Sequence, residues 1–402
     1  MAEPGGTQVK IAMVSLQANP LTALRDGDAV GPRLHVAKLA EALHRQGHEL
    51  TVYTRQTDER LPCRMRLDDG FAVVHLPAGP PRRLEQDDVV PHLGEFARHL
   101  QACWTDDVPD VIHAHQWTSG LAAVLSARQD ALPVVQSFHD PVGGDAAGAE
   151  RLVGRAAAAV VATSGHDADE LVKLGVRRPV VSTVPWGVDT ELFTPTGPAA
   201  ARGAMSRVLT VSNLGQSAGV DDLISALPGV LWTELVVAGG RDGAEVDRLR
   251  AVAADHGVAD RVTFLGHVPH SELPPLYRSA DVVACPQRHE PFGVVPLEAM
   301  ACGVPVVASA VGGLAESVVH AATGLLVPPR EPAVLARALR SLLRDDVRRQ
   351  ELGFAAQDRA RVRYAWDRVA LEVASVYQRV LPSPPVPRRP VVLDRREEGA
   401  GV

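Results

Sequence analysis

A chain of 402 residues with 46% hydrophobic residues is too long for one compact core and natural for two α/β domains. A net charge of −7 argues against a nucleic-acid partner. Four scattered cysteines with no C-x-x-C argue against disulfides or a zinc site. No apolar run approaches the ~20 residues of a membrane span, and the polar first ten residues do not form a signal peptide. A cytoplasmic location is expected, with peripheral membrane contact left open.

Residues 10–15 read as the first strand, and a Gly/Asp-rich loop containing Val30 and Gly31 follows. Apolar spacing over 35–43 predicts a helix that Gly47 ends. Further short apolar strands fall at 50–54, 72–76, 111–114, 134–137, 160–162 and 180–184. Their alternation with helices implies a parallel sheet covered on both faces, with ligands at the carboxyl ends of its strands. The small, turn-rich stretch 195–206 reads as a linker. The pattern restarts at 208–211, 235–238, 262–264, 282–285 and 304–308, which predicts a second doubly wound domain. Trp366, Val369, Val373, Val376 and Val380 space a last amphipathic helix over 366–381, and the Pro/Arg/Glu-rich 382–402 is expected to be disordered.

Three stretches carry chemistry. His113 and His115 share one face of their strand, but no Asp, Glu or Cys is spaced to complete a metal site, so no metal is expected. A satisfied core histidine is the plain reading for His113. His115 lies nearer the strand's carboxyl end, and His139 ends the next strand in the same way, so a polar cleft is expected there. In the third stretch, Glu290-Pro291-Phe292-Gly293 precedes a short helix that carries Pro296 and Glu298 and stops at Gly303. Two glutamates eight apart are usually ordinary solvated charges. Here the tight loop and the apolar helix favour sites that accept hydrogen bonds from hydroxyl groups.

The E-x7-E stretch from Glu290 through Ala308, with Gly312-Gly313 and 324–328 beyond it, resembles the signature of retaining, sugar-nucleotide-dependent glycosyltransferases of the group 1 family. Residues 110–115, 184–189 and 363–367 resemble other stretches of that family, so the likeness spans roughly residues 8–381. It implies the GT-B fold, two Rossmann-like domains facing a cleft. The implied acceptor-side domain is 8–194, completed by a crossing helix at 366–381, and the implied nucleotide-sugar domain is 207–365. It also implies metal-independent hexosyl transfer from a nucleoside diphosphate sugar, with no cofactor. The acceptor is a hydroxyl of a small molecule, glycan or lipid. By the same resemblance His115 and Glu290 are catalytic, and His139 lies on the acceptor side. Phe292, Gly293, Val294, Leu297 and Glu298 bind the donor, with Glu298 on the ribose and Gly31, Asn213 and Ala218 beside the diphosphate.

The phosphate side departs from the family pattern. Val30 precedes Gly31 where the family has Gly-Gly, Asn213 stands for an arginine and Ala218 for a lysine, and the segment after His139 is short. Two charge-assisted hydrogen bonds fewer is a loss of roughly 3–6 kcal/mol. The alternative is therefore a catalytically degenerate relative that binds a ligand or partner without turnover. A nicotinamide dehydrogenase is disfavoured, because no G-x-G-x-x-G follows any strand.

Overall fold

The computed structural model describes residues 8–21, 31–67, 70–128, 130–139, 146–240 and 243–382. Val30, most of the segment after His139, and the terminal stretch from 383 lie outside the described residues.

Two sheets form, one in each half of the chain. The first comprises β1 (Lys10–Val14), β2 (Glu49–Arg55), β3 (Arg64–Arg66), β4 (Ala72–Leu76), β5 (Val111–His115), β6 (Val134–Ser137), β7 (Ala159–Ala162) and β8 (Val181–Thr183). Its order is β3-β4-β2-β1-β5-β6-β7-β8. The second comprises β9 (Ser206–Val211), β10 (Thr233–Ala238), β11 (Val262–Gly266), β12 (Val282–Cys285), β13 (Val306–Ser309) and β14 (Gly324–Val327), in the order β11-β10-β9-β12-β13-β14. The pairing is parallel, as the apolar runs imply, except where β3 runs antiparallel to β4. Sequence reading missed β3 because Arg-Met-Arg offers no apolar run, and an edge strand needs none. It also missed β14 as a strand. There Gly324 is needed, since a Cβ would sit 2.4 Å from the Val306 carbonyl oxygen.

Each sheet buries an apolar cluster on both faces. Five helices matter below: α1 (Pro32–Arg45), α2 (Gly165–Leu174), α3 (Val220–Ala226), α4 (Val294–Ala301) and α5 (Trp366–Val380). Trp366, Val369, Val373 and Tyr377 of α5 pack into the first sheet's cluster, and Arg45 of α1 pairs with Asp367 at 2.6 Å. The last helix therefore crosses back over the first half of the chain. In both sheets the strand order reverses direction at the centre, between β1 and β5 and between β9 and β12. Ligand crevices of doubly wound sheets form at these switch points. His115 ends β5, Asn213 follows β9, and Glu290 follows β12.

Candidate functional site

Parallel pairing of β5 with β6 sets His115 beside Ser137. The chain turns at His139, whose φ of +56° is unusual for a residue with a side chain. His139 Nε2 then lies 2.8 Å from His115 Nδ1. His35, on the inward face of α1, packs edge-on to both rings. His113 is a satisfied core residue, with Nδ1 2.7 Å from the Tyr377 hydroxyl and Nε2 2.9 Å from Ser137 Oγ. Burial, then the nearby His139, pushes His113 down to about 3. Burial alone lowers His139 to about 3. Burial first, and neighbouring rings second, hold His35 and His115 well below the ordinary histidine value. All four rings are therefore neutral at neutral pH.

The sequence led to the expectation of a polar cleft at His115 and His139. In the structure His115 is fully buried and His139 nearly so. Trp186 stacks on Phe292 at 3.9 Å between ring centroids and also packs against His35 and His139. An aromatic pair contributed by the two halves of the chain thus packs over His35 and His139.

Glu290 Oε1 accepts from the amides of Phe292 and Gly293, both at 3.2 Å. Those amides were expected to meet a donor sugar, and here they hold the loop's own carboxylate instead. Gly293, with φ of +71°, starts α4. Val294 is partly exposed at the helix start. Leu297 is 1% exposed and packs in the second sheet's core, so its side chain does not face a donor. Glu298 is no solvated helix residue. It is buried, Oε1 lies 2.6 Å from His270 Nε2, and Oε2 accepts from the Tyr277 hydroxyl at 2.7 Å. Burial lowers the His270 pKa, but the bond to Glu298 and its charge outweigh burial and leave it raised. Two of the carboxylate's roughly four lone-pair positions stay unused. His270 and Tyr277 were not identified from sequence, because no local pattern marks either one.

The diphosphate corner differs most from expectation. Ala218 is 3% exposed and packs in the core with Leu214 and Val220, and its amide bonds the Gly215 carbonyl. It offers a phosphate neither side chain nor N–H, which overturns its reading as a donor-binding position. Asn213 is exposed, with Oδ1 accepting from the Gly215 amide at 3.2 Å. Arg288 reaches this corner from the loop after β12, yet it is paired with Asp221 at 3.1 Å and Asp222 at 2.9 Å at the start of α3. Two carboxylates against one guanidinium make the corner acidic. Gly31, with φ of +72°, precedes α1, and a Cβ there would meet nothing within 4 Å.

An open cleft of about 340 Å³ lies between the halves of the chain. Glu290, His289 and Gly312 line one wall, and Ser164, His166, Glu170 and Lys173 of the α2 region line the other. Glu316 Oε2 and Oε1 accept from the amides of Gly165 and His166 at the start of α2, at 3.0 and 3.1 Å. Of the two expected catalytic side chains, Glu290 is in the cleft and His115 is not.

Residues 202–359 match the family of glycosyl transferases group 1, and residues 31–192 match glycosyltransferase family 4. The D-inositol 3-phosphate glycosyltransferase of Xylanimonas cellulosilytica is 36% identical over 93% of this chain and 97% of its own. D-inositol 3-phosphate glycosyltransferase 1 of Catenulispora acidiphila is 34% identical over 94% and 97%. Among solved structures, sucrose-phosphate synthase from Thermosynechococcus elongatus superposes with a TM-score of 0.80 at 27% identity, covering 92% of this chain and 98% of that one. HepE from Anabaena, solved with UDP-glucose, superposes at 0.72 with 20% identity, covering 92% and 100%.

Proposed function

The chain belongs to the group 1 glycosyltransferases, with the GT-B fold, and on that premise we propose that it transfers a hexosyl group from a nucleoside diphosphate sugar to a polyol hydroxyl, with retention and without a metal. The observation that carries this reading is the cleft between the two halves with Glu290 on its wall, since its volume suits a small polar ligand. In the step, the bond from the anomeric carbon to the diphosphate oxygen breaks. The acceptor oxygen bonds that carbon on the same face, and its proton leaves on the diphosphate. Glu290 accepts from sugar hydroxyls through its free oxygen. Glu298, oriented by His270 and Tyr277, accepts from ribose hydroxyls through its unused lone pairs. Gly31 and Asn213 lie on the diphosphate side, and His139 and His115 on the acceptor side, reached once Trp186 moves. A neutral His115 would orient the acceptor hydroxyl by hydrogen bonding. The polyol class follows the names of the curated relatives, which are D-inositol 3-phosphate glycosyltransferases.

The acidic corner around Arg288 favours the second reading, a protein that binds without turnover. A panel of nucleotide sugars, read first by calorimetry and then by donor hydrolysis and by transfer to inositol and to D-inositol 3-phosphate, separates the two. Transfer that persists in excess EDTA supports the enzyme. Binding with neither hydrolysis nor transfer leaves the second reading. Activity lost to EDTA and restored by Mn²⁺ would refute the metal-free reaction.

A further inference from the structure

The histidine cluster holds more than the transfer reading uses. His35, His115 and His139 come from α1, β5 and the bend after β6, and one nitrogen from each ring lies within 4.8 Å of the others. All three rings are buried. Each also has one nitrogen without a hydrogen-bond partner: His35 Nδ1, His115 Nε2 and His139 Nδ1. A neutral imidazole has one N–H and one lone pair. The His115–His139 bond uses one of each, so the pair still buries an unmet N–H on one ring and an unmet lone pair on the other. An ion held between His115 Nδ1 and His139 Nε2 does not reach the far nitrogens of those two rings, so the site stands on the convergence of three buried imidazoles.

Three imidazoles are the ligand set of a borderline divalent ion, with a fourth position for water. Metal–nitrogen bonds of about 2.0–2.1 Å in a tetrahedral site place ligand nitrogens about 3.4 Å apart. The longest edge here, at most 4.8 Å, need close by only about 1.4 Å, within reach of side-chain rotation. We propose that His35, His115 and His139 form a binding site for a single Zn(II)-class ion, and that occupying it switches off the transferase. The ion replaces the His115–His139 hydrogen bond. The donor ring moves its proton to its far nitrogen, so each ring presents a lone pair and no proton leaves the trio. Binding stands on the geometry alone, whereas the inhibition rests on the reading of His115 as an active-site group.

The test uses the full chain, stripped of metal and titrated with Co(II), whose visible absorption reports a tetrahedral nitrogen site, and then with Zn(II) in competition. One equivalent should bind. His35→Gln and His139→Asn should each weaken binding by roughly tenfold or more. Trp186→Ala, which uncovers the trio and removes no ligand, should keep the affinity and speed uptake. No stoichiometric spectrum, or an affinity unchanged in both folded ligand variants, overturns the site. In the transfer assay Zn(II) should abolish product formation and EDTA should restore it. A bound ion with full activity would uphold the site and remove His115 from the catalytic centre.

Discussion

Acid should destabilise this protein well before its carboxylates titrate. His113 and His139 both have folded values of about 3, against an unfolded value of about 6.5. Their folded pKa is depressed, so their contribution is complete above pH ~6.5 and is lost as pH falls below it, because only the unfolded chain takes up the protons. Between pH 7.5 and 5.5 each ring removes RT ln(11/1.1), or roughly 1.4 kcal/mol, so the two together remove about 3 kcal/mol. His35 and His115 are shifted the same way and add to the loss. His270 opposes it: its folded pKa is raised, so its contribution is present below pH ~6.5 and fades as pH rises through its folded value. One such group does not offset four. Urea unfolding at pH 7.5, 6.5 and 5.5, with m unchanged, should show the midpoint falling steadily. Equal or greater stability at pH 5.5 would mean that the cluster is protonated in the fold, and the description of four neutral rings would fail.

Other perturbations follow from the corrected site. Glu298→Ala should weaken nucleotide binding by roughly 1.5–3 kcal/mol and, because His270 and Tyr277 lose their partner, destabilise the fold by about 1–3 kcal/mol. Unchanged nucleotide affinity in the folded fraction would remove Glu298 from the ribose. Ala218→Lys should not restore a phosphate contact. It places an ammonium in packed core, and calorimetric unfolding should show a loss of several kcal/mol, whereas tighter nucleoside diphosphate binding at unchanged stability would refute the placement. Trp186→Ala should make the histidines react faster with diethyl pyrocarbonate, and an unchanged rate would show that another group seals them.

The sequence displays the sheets well because buried parallel strands are largely apolar runs: β12 is one throughout, β1 is one after Lys10, and β5 and β9 carry one around a single polar residue. It displays the short charged edge β3 poorly for the same reason. The Glu290 loop and its helix were legible through Pro, Gly and glutamate at fixed offsets. What those carboxylates touch was not. His270 lies 28 residues from Glu298 and His35 lies 80 from His115, and no periodicity joins them. Ala218 shows the limit of aligning positions to a pattern. The position that lines up with the family's lysine holds a side chain packed with Leu214 and Val220, not one that faces a ligand.

Two contacts decide whether the cleft and the histidines can act together. Phe292 follows Glu290 by two residues in the same loop and stacks on Trp186, which packs on His35 and His139, so the loop and the cover over the histidine cluster are one mechanical unit. Glu316, in the same half of the chain as Glu290, holds the first amides of α2. Moving the halves apart must break both contacts, and an offset-stacked aromatic pair contributes about 0.5–1.5 kcal/mol beyond its buried area. That is small beside the binding energy of a nucleotide sugar at micromolar affinity, about 8 kcal/mol. A donor that inserts against Glu290 can therefore displace Phe292 and expose His115 in the same motion. Glu316→Gln weakens only the anchor on α2, and it should raise the reactivity of the histidines without donor while leaving the rate with saturating donor unchanged. Reactivity equal to wild type in both conditions would show that the two halves do not open along this contact.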